Sequence, residues 1–282
     1  MKHRFFITMS RILRVSFLFL CLGMSVTSLI AHEPKDGDVP AEGYQKRVLV
    51  FGGTGWYRHP ETAAISGWLA RLSDDLKMEV DVTETPKDLL ALLDRYEVLI
   101  LNNSNELTSL LDEKQRKKVE TWYAKGGGIV ALHAALVHQK EWKWLHKLGG
   151  CDFNSDSDFL EARVVVDPKA KDHPTVKGFG DSFQYKADWT NHDRCVTGTP
   201  GIQVLLRVDE STYEPVRDYF KERGGKAMGK DHPIAWINTL DGGRFFYTEL
   251  GHDVASLNRP FGRKHIVEAI KWAAQDGVTK KP

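Results

Sequence analysis

Short runs of uninterrupted apolar residues alternate with helical periodicity through the first half of the chain. Val48-Leu49-Val50-Phe51, Val98-Leu99-Ile100-Leu101 and Ile129-Val130-Ala131-Leu132 are bounded by Gly, Asn or His, and Glu79-Val80-Asp81-Val82 is a weaker candidate. Continuous apolar runs of this length suit strands buried on both faces, as in a parallel sheet. Between them, Ile65, Trp68, Leu69, Leu72 and Leu76 follow Pro60 at helical spacing, which predicts one helix. A second helix is expected over 86–94. A third starts at the capping-box pattern Asp112-Glu113-Lys114-Gln115, carries Val119, Trp122 and Tyr123, and ends at Gly126. This alternation predicts an α/β fold with a doubly wound, mostly parallel sheet and right-handed crossovers.

The rhythm breaks near residue 150. Arg163-Val164-Val165-Val166 and Ile202–Leu206 read as strands with no helix between them. Pro233–Ile237 and Arg244–Tyr247 flank Asp241-Gly242-Gly243, a hairpin signal. A closing helix over about 260–275 places Ile266, Ala269, Ile270 and Ala273 on one face. The expectation is one α/β domain over 46–277 with a β-rich C-terminal elaboration.

Residues 1–31 carry Lys2, Arg4, Arg11 and Arg14, no acidic residue, and the apolar run Val15–Met24. A basic stretch, a short apolar stretch and small residues describe a secretory signal peptide, and the apolar run is shorter than the ~20 residues a membrane span needs. Residues 32–45 read as a linker. The mature chain is thus expected in the periplasm or outside the cell, with no stable membrane insertion after cleavage. There Cys151 and Cys195 would be its only thiols, free to pair or not. The full chain of 282 residues has 39 basic and 38 acidic side chains, and removal of the signal peptide leaves 35 against 38. That mild acidity argues against a nucleic-acid partner. With 41% hydrophobic residues the chain can build a core, and three Cys are too few for a disulfide scaffold.

In open α/β sheets, ligands bind beyond the carboxyl ends of the strands. Four segments deliver His or Asn there. The first strand runs through Gly52-Gly53-Thr54-Gly55, a tight turn more readily than a phosphate cradle, to His59. The others end in Asn103, in His133 at a nucleophile-elbow-like position, and in Glu249-Leu250-Gly251-His252. Three His from separate strand ends, His59, His133 and His252, could hold zinc or a similar divalent ion, although no H-x-H or H-E-x-x-H spacing is present. His173 and His232 precede Pro and are expected in turns; His138, His146 and His265 are expected on helix surfaces. Asp188-Trp189-Thr190-Asn191 offers either a sugar site, with the ring stacked on Trp189, or a cap with Trp189 buried.

These segments, in order, resemble the trehalose-utilisation (ThuA-like) family. The carriers are Val48–Phe51 with His59, Ala131-Leu132-His133-Ala134-Ala135, His173-Pro174, His232-Pro233-Ile234-Ala235-Trp236, and Gly242-Gly243-Arg244 through Gly251-His252-Asp253. The resemblance implies a class I glutamine-amidotransferase-like, flavodoxin-related fold, and metabolism of trehalose and related sugars through 3-keto intermediates. Where the family often has Asp-Glu before a Tyr-containing stretch, this chain has Asp188-Trp189-Thr190. An amidotransferase needs a Cys nucleophile at the elbow, where this chain has His133. The expected function is therefore proton-transfer chemistry on a sugar or keto-sugar, by an isomerase, lyase or hydrolase. His133, His252 and Asp188 would be catalytic. Asn103, Trp189, Asn191 and Glu249 would bind substrate, and no nucleotide cofactor is expected. A small carbohydrate is the expected partner, and a homo-oligomer is compatible with the sequence. The alternative is a non-catalytic periplasmic sugar-binding protein on the same fold.

Overall fold

Val48 and Val50 pack on one face of the central sheet while Leu49 and Phe51 pack on the other, and all four are buried. The two-sided burial explains why the strand reads as an unbroken apolar run. The computed structural model describes residues 44–275; the expected signal peptide and nearly all of the expected linker lie outside them. The first half comprises β1 (Arg47–Phe51), α1 (Thr62–Ala70), α2 (Ser73–Leu76), β2 (Glu79–Thr83), α3 (Pro86–Leu92), β3 (Val98–Asn102), α4 (Glu113–Ala124), β4 (Gly128–Leu132) and α5 (Lys143–Gly149). The second half comprises β5 (Phe153–Val166), β6 (Ser182–His192), β7 (Ile202–Val208), α6 (Asp218–Lys221), β8 (Pro233–Asn238), β9 (Arg244–Thr248), α7 (Val254–Leu257) and α8 (Pro260–Ala273).

The strands form one sheet in the order β2-β1-β3-β4-β9-β8-β7-β5-β6. From β2 to β9 neighbouring strands are parallel, and from β9 to β6 they are antiparallel. Helices α1, α2 and α8 cover one face and α3, α4 and α5 the other, which is the doubly wound arrangement. The capping box at Asp112 and Gln115 forms as expected. The β8–β9 turn puts Asp241 and Gly242 at φ 60° and 96°, the region an Asp-Gly turn accommodates.

Several expectations change. The single helix expected through Leu76 breaks after Ala70. There Arg71 and Leu72 donate to Trp68 and Leu69 in tight three-residue turns, and the Ser73 hydroxyl bonds the Ala70 carbonyl. The segment Asp188-Trp189-Thr190-Asn191 lies inside the strand β6. Phe183, Tyr185, Ala187 and Trp189 alternate inward along it against Gln184, Lys186 and Asp188 on the other face. His265 is not on the surface: it is fully buried, with its ring nitrogens 3.0 Å from the Thr175 carbonyl and 3.1 Å from the Thr248 hydroxyl. His138 is exposed but sits in a turn at φ 56°, outside any helix. Cys151 and Cys195 are both free thiols, one buried and one exposed. Among the described residues, no helix is long and apolar enough to cross a membrane.

Candidate functional site

At the end of β4 the backbone turns sharply, and His133 adopts a left-handed conformation with φ 48°. Such a conformation costs a non-glycine residue of the order of 1 kcal/mol and persists only where the surroundings enforce it. Here Asn103, itself at φ 56°, accepts from the Ala134 amide at 3.4 Å. The Tyr247 hydroxyl lies 3.1 Å from the His133 carbonyl. Gly251 packs behind the turn, where an added Cβ would stand 3.2 Å from Leu132 Cβ. The turn aims the His133 ring into a pocket at the carboxyl end of the parallel strands.

Three other side chains meet it there. His59 comes from the β1–α1 connection, His252 from the segment after β9, and Asp188 from β6. Their ring planes are nearly perpendicular, with centroids of His59, His133 and His252 between 4.6 and 5.2 Å apart. Asp188 Oδ1 is 3.5 Å from His133 Nε2 and 2.5 Å from His252 Nδ1. One ligand atom from each of the four lies within 4.8 Å of every other. Asp188 Oδ1 and His252 Nδ1 are buried without an aligned hydrogen bond despite their approach. Acceptor atoms left orphaned around one point suit a divalent cation, and three imidazoles with a carboxylate are an accepted zinc donor set. On geometry, the residues present fit such an ion.

Behind His133 lies a buried polar chain. Glu249 Oε2 is 3.5 Å from His133 Nδ1, and its Oε1 is 3.4 Å from His192 Nε2 and accepts from the Tyr247 hydroxyl. Burial alone would suppress the charge on His133, but Asp188 and Glu249 outweigh it and raise its pKa to about 9. Burial would raise Glu249, yet hydrogen bonds with His133 and His192 hold it at about 2. His59 goes the other way: burial, then the neighbouring His133 and His252, lower it to about 3. One cluster thus contains a histidine that favours its charge and one that stays neutral. Asp188 is held below its ordinary value by His133 and His252, against the opposing effect of burial.

The pocket has a volume of about 860 Å³. It also contains Asp156, on β5 directly opposite Thr190 in the β5–β6 ladder. Arg217 pairs with Asp156 at 2.6 Å, but burial dominates and the carboxyl rises to about 7. The outer wall carries Trp56, Tyr57, Tyr219, Phe220 and Arg223. Sequence reading missed all of these. An alternation signal existed in β6, but the bulges in β5 near Asp156 erase it there, and the β7–β8 loop has no period at all.

Of the expected site residues, the fold brings His59, His133, Asp188 and His252 together. Glu249 supports His133 from behind and is fully buried. Asn103 is also buried and holds the turn, bonding Asn102 and the Ala134 amide. Asn191 is buried, its amide donating to Ser155 and the Pro215 carbonyl. Trp189 is 0% exposed and donates to the Leu160 carbonyl, so it caps the core and presents no ring face to a sugar. The reason is the strand's period of two: with Asp188 facing the pocket, Trp189 must face inward.

Comparison with known proteins agrees with this architecture. A crystal structure from Bacteroides uniformis of a protein described as ThuA-like superposes with a TM-score of 0.69 at 22% identity, covering 84% of this chain and 94% of that one. A second such protein, from Parabacteroides merdae, gives 0.60 at 17% identity, covering 84% and 93%. At these identities the likeness concerns the fold. No curated protein matches the sequence. Residues 47–273 match the ThuA family, described as trehalose utilisation, and the chain belongs to that family.

Proposed function

We propose that the protein acts on a sugar or keto-sugar by proton transfer, with His59, His133, Asp188 and His252 holding a divalent ion such as zinc at the base of the pocket. One observation carries this reading: four donor groups from separate segments converge within 4.8 Å, at the strand ends where this fold binds ligands. The family description supports a carbohydrate substrate. Bound there, a divalent ion supplies Lewis acidity to a carbonyl or hydroxyl oxygen.

The chain's own groups supply the rest. Glu249 fixes the ring of His133 through Nδ1, as carboxylates commonly do behind a histidine ligand. Asp156 shares the pocket without belonging to the donor set. A carboxyl poised at about 7 can exchange a proton near neutral pH, which suits removal of the acidic hydrogen beside a 3-keto group. Asp156 thereby supplies the second carboxylate that the Asp188-Trp189-Thr190 stretch does not. The leader at residues 1–31 supports action in the periplasm or outside the cell.

The test is metal analysis of the purified protein together with turnover of a panel of 3-keto-glucosides. One divalent ion per chain, lost in Asp188→Ala, and turnover abolished by a chelator are expected. Undiminished turnover by metal-free protein would sink the ion. Binding of the panel without turnover would leave a sugar-binding protein instead.

A further inference from the structure

The pocket changes character from its base to its mouth. His59, His133 and Thr190 at the base are nearly inaccessible, whereas Trp56, Tyr57 and Tyr219 at the mouth are 58%, 50% and 56% exposed. Only five large hydrophobic side chains among the described residues are exposed, and the three most open of them line this one mouth. Single exposed aromatics need no explanation, but a cluster held open around a cavity does.

These rings are also held in place. The amide oxygen of Asn105 accepts from the backbone N–H groups of Trp56 and Tyr57, at 3.1 Å each, and its amide nitrogen donates to the Tyr57 carbonyl at 2.6 Å. His138 packs edge-on against Trp56 at 4.5 Å. On the opposite wall the Arg223 guanidinium covers Tyr219 at 3.8 Å, and Phe220 packs on Phe153 at 5.4 Å.

Several polar groups of the outer half are committed within the protein. Asn105 is used as described. Arg217 is engaged with Asp156 through two nitrogens. Arg223 donates to the Tyr219 carbonyl, and the Asn154 amide oxygen accepts from the Lys226 backbone and the Ser155 hydroxyl. A second sugar ring placed there would lose water from its hydroxyls and find Asn105, Arg217 and the Asn154 amide oxygen already engaged, leaving its pairing to the Glu61 carboxylate and the Tyr57 and Tyr219 hydroxyls. A planar apolar ring loses nothing of that kind and gains aromatic faces.

We propose that the outer half of the pocket binds a flat aromatic aglycone, so that the substrate is an aryl glycoside rather than a free sugar or a disaccharide. This rests on the carbohydrate reading above, with the sugar ring at the His/Asp cluster. The volume of about 860 Å³ lies toward the upper end of what drug-sized ligands occupy and far exceeds the needs of one pyranose. Trp56 and Tyr219 are the specificity-determining residues.

The experiment is calorimetric titration of the purified protein with the phenyl and methyl glucosides, in both anomers, and with trehalose. One phenyl glucoside is expected to bind about tenfold more tightly than its methyl counterpart and than trehalose, the scale of two aromatic contacts. In the Trp56→Ala/Tyr219→Ala double variant that ratio should fall below about threefold. Both side chains are more than half exposed, so the variant should keep its melting temperature. A phenyl-to-methyl ratio near one, a ratio that survives the double substitution, or tightest binding of trehalose overturns the aglycone subsite alone. Failure of these glycosides to bind while a 3-keto-glucoside binds also overturns the subsite alone, and failure of the 3-keto-glucosides as well removes the carbohydrate reading itself.

Discussion

The parallel and antiparallel halves of the sheet contribute to the pocket in different ways. The parallel half delivers His59, His133 and His252 from the carboxyl ends of β1, β4 and β9, where strand direction alone directs them to one edge. The antiparallel half delivers Asp188 and Asp156 from within long strands, Asp156 near the start of β5. In the sheet order, β9, β8, β7 and β5 separate β4 from β6, yet Asp188 comes within 3.5 Å of His133. The β5–β6 ribbon must therefore fold back over the strand ends. Its register shifts between Phe153 and Ser155 and between Asp156 and Phe159 supply the bending. A parallel sheet aims its site by topology, whereas an antiparallel extension aims its contribution by bulges and docking.

That contrast can be broken experimentally. The largest effect should come from Asp188→Asn, which leaves the parallel-half histidines in place and removes the ribbon's charge. Turnover of a keto-sugar substrate is expected to fall roughly 10²–10⁴-fold, as for loss of an acid–base or orienting group. A fall of less than tenfold would mean that Asp188 gives the site its shape and not its chemistry. Next comes Trp189→Ala, which empties the core position beneath the ribbon. Urea unfolding should show a loss of about 3–5 kcal/mol, and a negligible loss would show that the ribbon docks through other contacts.

The third effect depends on pH and tests the parallel half. Burial holds His265 down at about 4, against 6.5 in the unfolded chain. Its neutral form is the folded one, so this stabilisation is complete above pH 6.5 and is lost as the pH falls toward 4. The loss amounts to up to about 3 kcal/mol. His265→Gln should flatten the acid limb of a stability–pH curve, and an unchanged limb would assign acid sensitivity elsewhere. The smallest effect is Asp112→Ala, at the start of α4 and outside the residues that line the pocket. Loss of the capping box should cost about 1 kcal/mol without changing turnover, measured by thermal unfolding and a kinetic assay on the same sample.

The parallel half was legible because its signals are local. Apolar runs such as Val98–Leu101 announce strands buried on both faces, and Asp112 with Gln115 announces a helix start. The histidines followed from these, since a strand's end is known once its direction is known. Asp188 was noticed for its polar neighbourhood. The alternation Phe183-Gln184-Tyr185-Lys186-Ala187-Asp188-Trp189 would have separated it from Trp189, because a strand turns successive side chains to opposite faces. Asp156 had no such signal, since bulges interrupt the period around it. Nothing in the chemistry of Arg217, at the start of α6, or of Tyr219, within it, marks either as a pocket wall.

By itself, the sequence determined the doubly wound sheet, its antiparallel elaboration and the three histidines at strand ends. The cause is that backbone hydrogen bonding and side-chain periodicity act over a few residues. Only the tertiary structure decided that Asp188 joins those histidines as a fourth donor, that Trp189 and Asn191 are interior, and that Glu249 stands behind His133. These depend on how far a bent ribbon folds back across a sheet. That is set by the packing of Tyr185, Ala187 and Trp189 in the same core as Leu257 and Ile266, residues far away in the chain.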